Sequence, residues 1–240
     1  MTPHRSPALP NGLSVGLRGA LAALVALGIV SVLLRLMFPA DAAARLEPLR
    51  EWLVGPAGTS AERVAEVAQF DAHFFAHHRL TMLHIVPGGL FLALVPLQLS
   101  RTVRARFARV HRWNGRFLIA TGVTSALIGL YFGVVIPFAG VGESVAVAAV
   151  TVWFLAALVR AYAAIRRRDV AMHRAWMLRA IAVPVGVSVV RVAGALADVT
   201  LTPVGYPART VFVVAVWTGW AATIAVTEWW VRQTAPRFQD

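Results

Sequence analysis

The sequence predicts an all-α protein: a polytopic membrane bundle of six transmembrane helices. Three observations carry that class. Of the 240 residues, 58% are hydrophobic and only 14% charged, where a water-soluble domain carries about 25% charged residues. The apolar residues fall in six runs, each long enough to cross roughly 30 Å of hydrocarbon. The basic residues gather between those runs.

Composition also narrows the chemistry. All 23 basic side chains are arginine, and the net charge is +12. In a soluble chain that charge suggests nucleic acid. Here the arginines lie in short connections between apolar runs, so topology and anionic lipid headgroups explain them and no nucleic-acid partner is expected. The chain has no cysteine, which excludes disulfides, thiolate nucleophiles and Cys-ligated metal centres.

The elements follow in order. Residues 1–16, rich in Pro, Gly and Ser, are predicted to be unstructured. The first span, 17–38, is longer than the 7–15 or so residues of a signal-peptide core, so it is expected to be retained despite the Ala40-Asp41-Ala42 that follows. The polar segment 39–79 places Leu46, Leu49 and Leu53 opposite Arg45, Glu47, Arg50 and Glu51, the pattern of an interfacial amphipathic helix. Gly55, Pro56 and Gly58 end it. Thr59 and Glu62 read as a capping box for a helix through Val64, Val67, Phe70 and Phe74. The second span is 80–100, with Pro87 and Pro96 as bend points. The third is 114–138, closed by a Gly-rich turn at 139–142. The fourth (144–165), the fifth (175–197), a loop at 198–209 and the sixth (210–231) complete one membrane domain, 1–240.

Arginine placement predicts the orientation. The stretches 101–116 and 166–174 and both tails are basic and almost free of acids, whereas 39–79 mixes four arginines with six acids. Both termini are therefore expected in the cytoplasm and 39–79 outside it.

Polar residues inside apolar spans are costly and mark sites. His173 and Arg191 lie five helical turns apart on one face of the fifth span. Arg191 sits well inside the span, so it is expected to face the bundle, with Asp198, Glu143 and Asp71 as available acceptors. His84 of the second span lies at a similar depth and Gln98 nearly on its face. Two polar layers result: an outer one with His84 and Arg191, and an inner one with Gln98, His111 and His173. Gly115, Gly122 and Gly129 form a small-residue face on the third span, read either as helix packing or as room for a flat cofactor. His73 and His77 have an i, i+4 spacing that suits a metal, but the sequence fixes no third ligand and no metal site is expected; the role of the His73, His77, His78 cluster stays open.

The segments LHIVPGGLFLALVPLQL (83–99), HRWNGRFLIATG (111–122) and MHRAWMLRAIAVPVGVSVVRV (172–192) together resemble an uncharacterised family of bacterial membrane proteins, catalogued as domain of unknown function 2306. The resemblance covers about 80–195 and implies a multi-pass protein of the bacterial cytoplasmic (inner) membrane. Its pattern singles out His84, Gln98, His111, Arg112, Gly115, Arg116, His173, Arg174, Trp176, Met177, Arg179 and Arg191, with Pro96 standing where a glycine is expected. More distantly, the chain is similar to transmembrane cytochromes b of the ascorbate-reducing type. The fourth span has no histidine, so only one such haem b is conceivable, on His111 and His173, with Arg112, Arg116, Arg174 and Arg179 on its propionates.

Three functional classes follow. The first is a binding or accessory subunit of a membrane complex, with His84, Gln98 and Arg191 as ligand-binding residues. The second is a single-haem electron-transfer protein working with a quinone. The third is a small-solute transporter. The sequence assigns no catalytic residue.

Overall fold

The computed structural model describes residues 15–55 and 60–234, and these are mostly helical with no strand among them. The helices are α1 (Val15–Met37), α2 (Glu47–Val54), α3 (Ala61–Ala76), α4 (His78–Leu99), α5 (Arg101–Arg106), α6 (Ala108–Val135), α7 (Val141–Arg166), α8 (Val170–Leu201) and α9 (Ala208–Thr234). Six of them, α1, α4, α6, α7, α8 and α9, are long and apolar enough to cross a membrane. The protein is an all-α, multi-pass membrane bundle. The predicted tail at 1–16 falls outside the described residues up to position 14, as do Pro56, Gly58, Thr59 and 235–240.

The helices begin earlier than the hydropathy suggests. The third span starts at Ala108 and not at 114; the fifth starts at Val170 and not at 175. Arginine is a good helix former, so the backbone ladder continues into basic sequence where the apolar signal has ended. Side-chain caps set the true starts: Ser100 Oγ accepts from Val103 N at the head of α5, and Asp169 Oδ1 accepts from Met172 N at the head of α8. The expected loop at 198–209 is largely helical. α8 runs to Leu201, a 3-10 turn covers Thr202–Val204, and Gly205 at φ 90° makes the reversal.

α8 is the hub. It packs against α9, α7, α1 and α4, while α4 pairs with α6. Phe91, Leu92, Val95, Leu118, Ile181 and Val185 form one buried cluster, and Val150, Phe154, Ala157, Leu158, Ala180 and Val183 a second, with Met177 packed against both. With lipid as apolar as the core, close approach through small residues does what the hydrophobic effect does in water. At Gly219 of α9, a Cβ would come within 2.6 Å of the Val190 backbone, which fixes the α8–α9 spacing.

The polar segment between α1 and α4 folds into a cap. It begins with a 3-10 turn, Ala44–Leu46, and α2. α3 is capped by Ser60 Oγ, which accepts from Arg63 N; the expected cap, Thr59, lies outside the described residues. Two carboxylates, Asp71 buried and Asp198 partly buried, bind the cap to the bundle. Asp71 accepts from Ala43 N and Ala44 N at 3.0–3.1 Å and pairs with Arg35 of α1 at 2.7 Å. Asp198 of α8 pairs with Arg50 of α2 at 2.9 Å and with Arg63 of α3, and accepts from Thr202 Oγ1. Glu66 adds a third tie, accepting from Arg63 and from Ala208 N at the head of α9. His73 packs edge-on against Phe74 and Phe138. Burial, and then the neighbouring His77, push its pKa below the ordinary imidazole value, so the ring is neutral at neutral pH.

Replacing Asp71 with alanine should destabilise the protein by about 3–5 kcal/mol, because Arg35 and two backbone N–H groups lose their acceptor. Thermal denaturation in detergent micelles measures this. Pairing Asp71→Ala with Arg35→Ala should recover part of the loss; strictly additive losses would show that the pair does not act as a unit.

Candidate functional site

Where the chain places an ionisable group inside a span, the question is what satisfies it. Arg191 is the sharpest case. It lies ten residues from the end of α8, about 15 Å down the helix at 1.5 Å per residue. Its Nη1 donates to the Val187 carbonyl of its own helix at 3.1 Å. The three acceptors expected for it are all engaged elsewhere: Asp198 with Arg50 and Arg63, Asp71 with Arg35, and Glu143 with Ala139 N at 2.7 Å. No carboxylate pairs with Arg191 among the described residues; the residue keeps accessible surface although protein atoms surround it closely. The cap's own arginines reach Asp198 first. They lie more than a hundred residues away in sequence, which is why span depth alone misassigned the partner.

His84 of α4 lies within electrostatic reach of Arg191, and Arg35 of α1 lies within reach of it too. The three therefore lie near one another where α1, α4 and α8 pack together. His84 is held from behind by α6. Its Nδ1 donates to the Ser125 carbonyl at 2.8 Å, and Ser125 Oγ donates to the His84 carbonyl at 2.8 Å. A backbone carbonyl only accepts, so Nδ1 carries the proton and Nε2 is left as an acceptor in the neutral ring. The hydrogen bonds that hold the ring are all on Nδ1. The junction of the three helices thus places a histidine of fixed tautomer near a cation with no carboxylate partner among the described residues.

The inner layer is differently built. Gln98 and Asn114 are both buried, and Asn114 Nδ2 donates to Gln98 Oε1 at 2.9 Å and to the Leu94 carbonyl at 3.3 Å. Gln98 is thereby a link between α4 and α6, away from His84 and Arg191. His111 and His173 lie within electrostatic reach of each other. His173 Nδ1 donates to the Ala161 carbonyl of α7 at 2.9 Å, whereas His111 Nδ1 is buried without a partner. Arg112, Arg116 and Arg174 are exposed, and Arg116 sits over the Trp113 ring at 4.9 Å. Arg179 is engaged: it makes a bidentate pair with Glu228 of α9 at 2.6 and 2.8 Å. Arg160 and Arg179 both lie over Trp176, at 4.7 and 4.6 Å.

A haem between His111 and His173 can be tested against this geometry. His173 has the fixed Nδ1 that ligating histidines favour. The room is missing. The glycine face of α6 is filled from both sides: a Cβ on Gly115 would meet Gln98 at 3.0 Å, one on Gly122 would meet Phe154 at 2.9 Å and Phe91 at 3.0 Å, and one on Gly129 would meet His84 at 2.8 Å. Met177, one turn beyond His173, fills the space between the two apolar clusters, and Arg179 already has its carboxylate. The glycine face of α6 is a packing surface and offers no slot for the group. Among the described residues, no three His, Asp or Glu side chains gather as a metal-ligand set.

Arg160, Asn114 and Glu228 belong to these networks and escaped the sequence reading. Glu228 had a usable signal, as the sole acid in α9: a carboxylate inside a span needs a cation on a neighbouring helix.

Residues 81–231 match the family model described as "Predicted membrane protein (DUF2306)", which covers more than half of the chain. No curated protein and no solved structure matches.

The packing reading of the glycine face has a direct consequence. Gly122→Ala should cost roughly 1–3 kcal/mol, the range for overpacking a filled core, because two aromatic rings of α4 and α7 must move. A melting temperature equal to that of the unmodified protein would mean that the face has room after all.

Proposed function

We propose, from the premise that the chain belongs to the DUF2306 family of predicted membrane proteins, that it is a membrane-embedded binding protein whose crevice among α1, α4 and α8 takes an anionic group. It would serve as a binding or accessory subunit and not as a redox carrier. One observation carries this reading: Arg191 stands deep in a span, exposed, with no carboxylate partner among the described residues. An arginine in hydrocarbon costs several kcal/mol unless paired or hydrated, so an anion entering the crevice gains a strong charge-assisted contact. His84 Nε2 adds an acceptor for a donor on the same ligand. Monoprotonated phosphate and hydroxy carboxylates have that combination of groups.

The test is binding to the purified protein in a zwitterionic nanodisc. Inorganic phosphate and a hydroxy carboxylate should raise the melting temperature in a saturable way, and chloride at equal ionic strength should not. Arg191→Gln should weaken binding by about tenfold or more, the equivalent of some 1.4 kcal/mol for one lost contact. The same variant without ligand should be at least as stable as the parent, since it removes an uncompensated charge. If no anion shifts the melting temperature and Arg191→Gln instead destabilises the protein, the arginine is structural and the reading fails.

The orientation belongs to the same proposal: the arginine-rich ends, with both termini, face the cytoplasm of a bacterial inner membrane, and the cap faces outward. Arginine-rich, nearly acid-free stretches at 101–116 and 166–174 support it, since basic loops stay inside. The cysteine-free chain makes the check simple. In intact cells an impermeant maleimide should label Trp52→Cys in α2 and leave Arg167→Cys unlabelled; the reverse pattern would invert the topology.

A further inference from the structure

The surface between α4 and α6, at the arginine-rich end, has a feature that the anion crevice does not use. Leu94 and Leu97 of α4 and Val110, Trp113 and Phe117 of α6 line an open groove of about 490 Å³. Val110 to Phe117 gives it a length of roughly 10 Å along the helix, at 1.5 Å per residue. The one polar side chain in its floor, Asn114, is already satisfied by Gln98 and the Leu94 carbonyl. Its walls are therefore apolar along their length. At its mouth stands Arg109, exposed and without a carboxylate partner among the described residues. Arg116 lies over the Trp113 ring and brings a second cation to the wall.

We infer that this groove is a site for one anionic phospholipid, with an acyl chain laid along Leu94, Leu97, Val110, Trp113 and Phe117 and the headgroup phosphate on Arg109. Charge complementarity commits the occupant. The stretch 101–116 holds six arginines and no acid, so no carboxylate of its own stretch competes with a phosphate for Arg109. The amphipathic Trp113 sits where aromatic rings favour the headgroup level. A groove that is apolar along its walls and cationic at one end matches a lipid, whose two halves have those properties in that order. The inference is independent of the anion crevice and holds for either orientation of the protein, because it needs only that this end lie at a headgroup layer.

Native mass spectrometry of the full chain, released from nanodiscs that mix phosphatidylglycerol with phosphatidylcholine, tests it. The expected result is one phosphatidylglycerol retained per chain in preference to phosphatidylcholine. Arg109→Gln should lower that retention about tenfold and Arg109→Lys should largely restore it. Arg167→Gln, an equally exposed arginine off the groove, should have no effect. Circular dichroism and melting temperature identify any variant that fails to fold, and Trp113→Ala provides a second, uncharged probe, expected to weaken retention as well. Equal losses in Arg109→Gln and Arg167→Gln would overturn the site in favour of diffuse surface attraction. Equal retention of phosphatidylcholine would overturn the headgroup assignment, and a co-purifying protein chain displaced by Arg109→Gln would replace the lipid with a partner helix.

Discussion

Two carboxylates, the buried Asp71 and the partly buried Asp198, decide the shape of one whole end of this protein. Each collects donors from segments that are distant in sequence: Asp71 joins α1, the turn after it and α3, and Asp198 joins α8 to α2 and α3. A carboxylate buried near hydrocarbon is tolerable only when its lone pairs are filled. Once that condition is met, the cap has a single register over the bundle. Breaking either hub strands charges of both signs at once, so cap and bundle should stand or fall together.

The same accounting explains why Arg191 is left over. The spans contain three carboxylates, Glu143, Asp198 and Glu228. Glu143 binds the turn before its own helix, Asp198 binds the cap, and Glu228 binds Arg179. None remains for a cation at the depth of Arg191. Arg35, a basic group within electrostatic reach of it, is neutralised by Asp71. The junction of α1, α4 and α8 therefore keeps an excess positive charge among the described residues. Gln98 and Asn114, by contrast, satisfy each other.

Much of the architecture was legible because it depends on local, one-dimensional quantities. Six apolar runs gave six spans, and Gly115, Gly122 and Gly129 at steps of seven gave a small-residue face before any neighbour was known. Helix starts were less legible. His111 seemed to lie in a connecting elbow, yet it is in the first turn of α6, because arginine sustains a helix while lowering its hydropathy. What could not be read was pairing across distance. That Arg191 is an inward, costly group followed from its depth; that Asp198 would serve Arg50 and Arg63 instead required knowing how the cap folds back.

The glycine face shows how packing limits function here. Small residues on α6 could have admitted either a flat cofactor or neighbouring side chains, and spacing cannot choose between these. The structure fills each step with a different group: an amide at Gly115, two aromatic rings at Gly122 and an imidazole at Gly129. The last of these matters for the site. Because Gly129 has no side chain, the His84 ring can approach α6 closely enough for Nδ1 to donate to the Ser125 carbonyl. A glycine on one helix thereby sets the hydrogen-bonding polarity of a histidine on another, so the packing face and the tautomer of His84 are two sides of one arrangement.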